Sequence, residues 1–161
     1  IKGISIVKCD GLRNIPDGEV YTAPVKNSIN GHITYNTPSL HDGLTFTNIR
    51  FEFKNGKIVD ATCDGHTKKL NEVLDTDPGA RYIGEFAIGT NEGITRFTRQ
   101  ILFDEKINGS FHMALGAGYP ESGSSAKSAI HWDMICDLRD GGQIWVDDQL
   151  LYENGKFVVQ G

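Results

Sequence analysis

Two Asn-Gly pairs set the folding problem. Asn55-Gly56 separates Thr47 to Phe53 from Lys57 to Cys63, and Asn154-Gly155 separates Gln149 to Tyr152 from Lys156 to Gln160. Asn and Gly readily take positive φ at the two central positions of a tight hairpin turn, and each pair is flanked by β-forming runs. Both segments are therefore predicted as antiparallel hairpins. In the first, Phe46, Ile49, Phe51 and Phe53 largely alternate with polar residues, so one face is expected to be buried and the other wet. The chain carries 19 glycines in 161 residues, spread singly, which points to many turns and away from a disordered tract.

Further strands are expected at Ile1 to Val7, Tyr82 to Ile88, Ile130 to Cys136 and Gln143 to Val146. The best helical segment is His66 to Leu74, where Leu70, Val73 and Leu74 fall at helical spacing and Asp77-Pro78-Gly79 supplies a stop. Thr98 to Phe103 reads as a strand end or a helical turn. Phe111 to Leu115 reads as helical, although Gly109, Gly116 and Gly118 weaken that assignment. No repeat or linker interrupts the chain. The expected fold class is α+β, a mostly antiparallel β-sheet or partial barrel with a few short helices, forming a single domain over residues 1–161.

A net charge of -5, with Lys and Arg scattered, offers no basic stripe for phosphates, so no nucleic-acid partner is expected. No apolar run approaches the roughly 18 residues that span a bilayer, so no membrane partner is expected either. Three cysteines, Cys9, Cys63 and Cys136, are widely spaced and form no C-x-x-C pair, which fits a reducing, cytoplasmic setting. The chain opens on Ile1, and it is read as a piece of a longer polypeptide.

Chemistry concentrates in a few places. In Ile130-His131-Trp132-Asp133-Met134-Ile135-Cys136 the apolar Ile130, Trp132, Met134 and Cys136 alternate with His131 and Asp133. On a strand the imidazole and carboxylate would project together from the face away from the core, as two ligands of one metal would, or as ordinary polar residues on a wet face. Glu85 sits inside the apolar Tyr82 to Gly89 run and needs a partner, which a metal, an Arg or solvent could supply. His112 is flanked by apolar residues and reads as a ligand or a satisfied core histidine. Asp104 and Glu105 lie just upstream as hydrogen-bond partners for it or as proton acceptors. Glu19 follows the Pro16-Asp17-Gly18 turn, where a rigid loop can present a carboxylate. Two glutamates, two histidines and an aspartate suit two divalent cations sharing a carboxylate, but their spacing does not bring them together.

Five collinear blocks supply a resemblance. Pro16-Asp17-Gly18-Glu19-Val20-Tyr21-Thr22-Ala23-Pro24 resembles the signature of the metallopeptidase family that includes aminopeptidases T, S and II. The likeness continues through Gly79 to Glu85, Asp104 to Gly116, Tyr119-Pro120 and Ser128 to Asp133. It departs at Tyr21, where Phe is usual, at Asn108, where Gly is usual, and at Asp148, where Gly is expected.

The resemblance implies a dinuclear metallo-aminopeptidase that uses zinc, cobalt or manganese and acts on peptides with a free N-terminus. The chain would be its C-terminal metal-binding catalytic domain, with an α/β domain upstream, in a cytoplasmic homodimer. Glu19, Glu85, His112, His131 and Asp133 are implied as metal ligands. Tyr119 is implied as a ligand or as a hydroxyl donor to the reaction intermediate. Glu85 or Glu105 would shuttle the proton. Two competing expectations are a β-rich binding or dimerisation module, inactive as an isolated fragment, and a different metal-dependent hydrolase.

Overall fold

A computed structural model describes residues 3–158 of the chain. Strands β1 (Val7–Cys9), β2 (Glu19–Thr22), β3 (Gly31–Thr34), β4 (Ser39–His41), β5 (Leu44–Phe46), β6 (Arg50–Lys54) and β7 (Lys57–Thr62) precede helix α1 (Thr67–Leu74). Then come β8 (Ile83–Gly89), the helical turn α2 (Ile101–Asp104), β9 (Ser110–Gly116), β10 (His131–Asp137), β11 (Gln143–Val146), β12 (Gln149–Glu153) and β13 (Lys156–Phe157). The main sheet has five strands in the order β1-β2-β8-β9-β10, all antiparallel, and does not close into a barrel. Two three-stranded sheets, β3-β6-β7 and β11-β12-β13, and the hairpin β4-β5 complete the fold.

Both Asn-Gly pairs are hairpin turns. Asn55 and Gly56 have φ of 50° and 80°, and Asn154 and Gly155 have 48° and 81°, the double positive φ that matches strand twist. Gly56 is also sterically required, since a Cβ there would lie 1.8 Å from the Lys26 carbonyl oxygen. In the turn between β11 and β12 the positive φ, 53°, falls on Asp147 and not on Asp148, the position where Gly is usual.

One assignment is corrected. Phe111 to Leu115 belongs to β9, the strand between β8 and β10, and not to a helix. A strand covered on both faces reads as an unbroken apolar run, which periodicity cannot tell from a short helix. Gly109 and Gly116, with φ of 98° and 88°, terminate it. Of the two alternatives for Thr98 to Phe103, the helical turn is the one formed. At the start of the chain a strand begins only at Val7, and Ile1 and Lys2 of the expected one lie outside the described residues. Likewise β13 ends at Phe157, and the expected extension through Val159 and Gln160 lies outside them.

The main core lies on one face of the five-stranded sheet. Ile83, Leu115, Trp132 and Met134 from that sheet pack against Phe51, Phe53, Ile58 and Ala61 of β6 and β7, Phe46 of β5, and Leu70 and Leu74 of α1. The β11-β12-β13 sheet adds a smaller cluster in which Ile88, Leu138 and Tyr152 are buried with Phe86 and Phe111 against them. Among the described residues no helix is long and apolar enough to cross a membrane.

Candidate metal centre

Register across four neighbouring strands gathers the polar residues on the other face. Tyr21 pairs with Ala87, Ala87 with His112, and His112 with Ile135. In the adjacent row Glu85 pairs with Ala114, and Ala114 with Asp133. Because alternate residues of a strand share a face, Glu19, Glu85, His112, His131 and Asp133 all project away from Trp132 and Met134. Ala87 and Ala114, both fully buried, keep the space between them open.

Glu85 reaches that face through a bulge. Ile83 is opposite Leu115 and lies in the core, yet Glu85, two residues on, is opposite Ala114 on the reverse face, because the register shifts between them. An extra residue in one strand re-aims the next side chain, and here that residue is Gly84. Its backbone passes so close to the Ala117 carbonyl oxygen that a Cβ would lie 2.4 Å from it.

The five side chains converge. His112 Nε2 is 3.4 Å from Glu19 Oε2 and 3.5 Å from Glu85 Oε1, while His131 Nε2 is 3.8 Å from Glu85 Oε2 and 3.4 Å from Asp133 Oδ2. Glu85 thus stands between the two imidazoles. Among the described residues four sets of candidate ligand atoms fall within 4.8 Å of one another: Cys9, Asp17 and Glu19 beside the turn into β2, and, on the shared face, Glu19, Glu85 and His112; Glu85, His131 and Asp133; and Glu105, His112 and Asp133.

Metal binding fits the unsatisfied groups. Glu19 Oε2, Glu85 Oε2 and His112 Nδ1 are buried and make no hydrogen bond. Two buried carboxylate oxygens without donors are unfavourable unless a cation meets them. His131 is oriented for the same task. Its Nδ1 lies 2.8 Å from the Ala117 carbonyl oxygen, which accepts the ring N–H and leaves Nε2, on the side of Glu85 and Asp133, as the nitrogen that would ligate a cation held between them.

The electrostatics describe a cluster short of positive charge. Burial pulls the His112 imidazolium down, but nearby Glu85, Asp133, Glu105 and Glu19 outweigh it and lift the pKa to about 9. For His131 burial is likewise outweighed, by Asp133, the Ala117 carbonyl and Glu85, and the result is again about 9. Burial pushes Asp133 up, yet His131, His112 and Lys106 hold it below the usual carboxylate range. Glu105 is raised by burial and by Asp133.

Of the two acidic residues ahead of His112, only Glu105 joins the cluster. Asp104 accepts hydrogen bonds from Thr98 N, Thr98 Oγ1 and Arg99 N at 2.7, 2.8 and 2.8 Å and serves the turn into α2. Tyr119 lies at the rim, 45% exposed, with its ring centroid 5.1 Å from that of His131 and 5.6 Å from that of Tyr21. Its hydroxyl is pushed up to about 12, first by burial and then by Glu85 and Asp133.

Lys106 escaped the sequence reading. Its side chain is 1% exposed, and its Nζ lies 2.6 Å from Glu19 Oε1 and 2.6 Å from Glu105 Oε1. The only local signal was a lysine between Glu105 and the apolar Ile107.

Comparison with known proteins places the chain in a family. The family model described as thermophilic metalloprotease (M29) matches residues 4–157. Aminopeptidase 2 of Geobacillus stearothermophilus is 36% identical over 119 residues, which cover 70% of this chain and 28% of that enzyme. Aminopeptidase T of Thermus thermophilus is 31% identical over 156 residues, covering 88% of this chain and 37% of the relative. The solved structure of wild-type AmpT from Thermus thermophilus superposes with a TM-score of 0.81 at 26% identity, over 98% of this chain and 45% of that one. The chain therefore spans less than half the length of the relatives it matches.

Proposed function

The chain belongs to the M29 family of thermophilic metalloproteases, and on that premise we propose that it is the metal-binding portion of a dinuclear aminopeptidase that removes the N-terminal residue of peptides. The observation that carries this reading is Glu85, which lies between His112 and His131 and belongs to both the Glu19 and the Asp133 ligand sets. A carboxylate so placed suits two neighbouring cations better than one.

On this reading Glu19, Glu85 and His112 hold one ion, and Glu85, His131 and Asp133 hold the other. Zinc, cobalt and manganese all suit such an oxygen-and-nitrogen set. The ions, when bound, supply the Lewis acidity that polarises a scissile carbonyl and acidifies water near neutral pH. The residues do the rest. Tyr119, at the open edge beside His131, offers its hydroxyl to the oxygen that becomes negative as the carbonyl is attacked. Glu85 and Glu105 are the carboxylates within reach to take a proton and return it to the departing amine, Glu105 through Oε2 because Lys106 holds Oε1. The free amino group of the substrate would be held at one ion, which suits exopeptidase rather than endopeptidase action. In the full polypeptide this domain would follow an α/β domain, within a cytoplasmic homodimer.

The test is hydrolysis of a leucyl chromogenic amide and of its N-acetylated counterpart, with and without added cobalt. Cobalt-dependent cleavage of the free amine alone is expected. Equal cleavage of both substrates points to a different metal-dependent hydrolase. Two bound metals with no cleavage identify a metal-holding module that needs the rest of its polypeptide.

A further inference from the structure

Lys106 neither ligates an ion nor carries the proton itself, yet among the described residues it is one of the most buried large side chains. Its ammonium joins Glu19 Oε1 to Glu105 Oε1, at 2.6 Å from each. The backbone fixes that link from both sides. The Lys106 carbonyl accepts Asn91 N at 2.9 Å, and Asn91 Nδ2 donates to the Asp17 carbonyl at 2.7 Å, in the turn that leads into Glu19. Asn91 also packs so tightly on that turn that a Cβ on Gly18 would lie 2.8 Å from its own Cβ. The lysine and the glutamate are thus held in one frame.

We infer that Lys106 is a positioning residue for the metal centre: by occupying Oε1 of Glu19 and of Glu105, it leaves Glu19 a single oxygen to turn toward the ions and Glu105 a single oxygen for proton transfer. This rests on the metal-centre reading given above. The pattern of unsatisfied atoms supports it, because Glu19 Oε1 is bonded to Lys106 while Glu19 Oε2 is buried with no partner and faces His112. An unconstrained carboxylate can offer both oxygens to one ion, raising its coordination number and closing a position a substrate needs.

Charge alone gives Lys106 no such reason to be there. Glu19, Glu85, Glu105 and Asp133 bring four negative charges to the cluster, and the ammonium removes one of them. A cation beside other cations weakens their attraction to the site. If Lys106 acted only as a charge, its loss would tighten metal binding. If it acts by orienting ligands, its loss weakens binding, so the two roles differ in sign.

The experiment compares the wild-type chain with Lys106→Met, which keeps the length and loses the charge, and Lys106→Arg, which keeps the charge and replaces the compact ammonium with a planar fork. Cobalt and zinc affinities are measured by chelator competition, the visible absorption of the cobalt forms reports coordination number, and circular dichroism verifies folding. Both variants are expected to lose about 10–100-fold in affinity, the usual effect of removing a group that orients a ligand. Their cobalt absorption should weaken as coordination number rises. Unchanged or tighter binding by Lys106→Met, with an unaltered cobalt spectrum, overturns the inference. Should Lys106→Met fail to fold, Lys106→Arg decides alone, since a purely electrostatic lysine predicts no change there. Wild-type chain that binds no cobalt would sink the metal-centre reading and this inference with it, whereas binding wild type with indifferent variants sinks only the role of Lys106.

Discussion

The Ala117 carbonyl oxygen lies 2.8 Å from Nδ1 of His131, so a backbone group beyond the end of β9 decides which nitrogen of a β10 imidazole faces Glu85 and Asp133. Removing a group that merely orients a ligand costs about 10–100-fold in metal affinity, so removing the imidazole itself should cost at least that much. His131→Ala is expected to lose bound metal in elemental analysis after dialysis. The sheet should remain folded, because Trp132 and Met134 hold β10 to the core from its other side. Full metal content in His131→Ala would contradict the assignment.

Ala114 separates Glu85 from Asp133 across three strands and has no exposed surface. Its small size is what leaves room between the carboxylates. Ala114→Val adds two methyl groups there and is expected to reduce zinc uptake in equilibrium dialysis, with an overpacking cost of about 1–3 kcal/mol in urea denaturation. Uptake equal to wild type would show that the space above Ala114 is not where the ions sit.

Trp132 Nε1 donates to Ser39 Oγ at 2.8 Å inside the core. Ser39→Ala strands the indole N–H, which should cost about 1–3 kcal/mol of stability. Ser39 Oγ also lies 3.4 Å from the Asp133 carbonyl oxygen, but the Asp133 carboxylate projects from the opposite face, so metal affinity should stay as in wild type. Loss of metal binding together with stability would mean that the two faces are more tightly coupled than the register implies.

Asp77 fastens the segment entering β10 to the turn after α1. Its Oδ2 accepts Ala129 N at 2.6 Å and Ser128 Oγ at 2.8 Å, and its Oδ1 accepts Gly79 N at 2.7 Å and Ala80 N at 3.1 Å. These bonds, Ala129 first and Ser128 next, hold its carboxyl below the usual range. A depressed native pKa stabilises the fold fully above the unfolded value of about 3.9 and is lost as pH falls through the native value. Asp77→Asn should therefore be less stable than wild type at pH 7, with the gap narrowing on acidification below about pH 4. Chemical denaturation across that range checks it, and a constant gap would rule out the ionised form as the source.

The hairpins were legible because Asn-Gly supplies positive φ locally, and the His131 and Asp133 pair was legible because alternation needs only one strand. What lay hidden required a second strand. Alternation alone places Ile83 and Glu85 on one face, and only the bulge at Gly84 parts them. Phe111 to Leu115 read as helical because the strand is covered on both faces and its polar side shows only His112 before Ala114 follows, too little alternation to betray its period. Lys106 was invisible for a third reason: its partner Glu19 comes from β2, and nothing in the intervening sequence signals that Asn91 will draw the two together.

The two-faced character of β10 carries a practical corollary for anyone surveying variants. Along this strand the even-numbered Trp132 and Met134 answer to packing, and the odd-numbered His131 and Asp133 answer to ligand chemistry. From His131 to Met134 the parity of the residue number should thus forecast which instrument registers a substitution: a melting curve for one pair, a metal titration for the other.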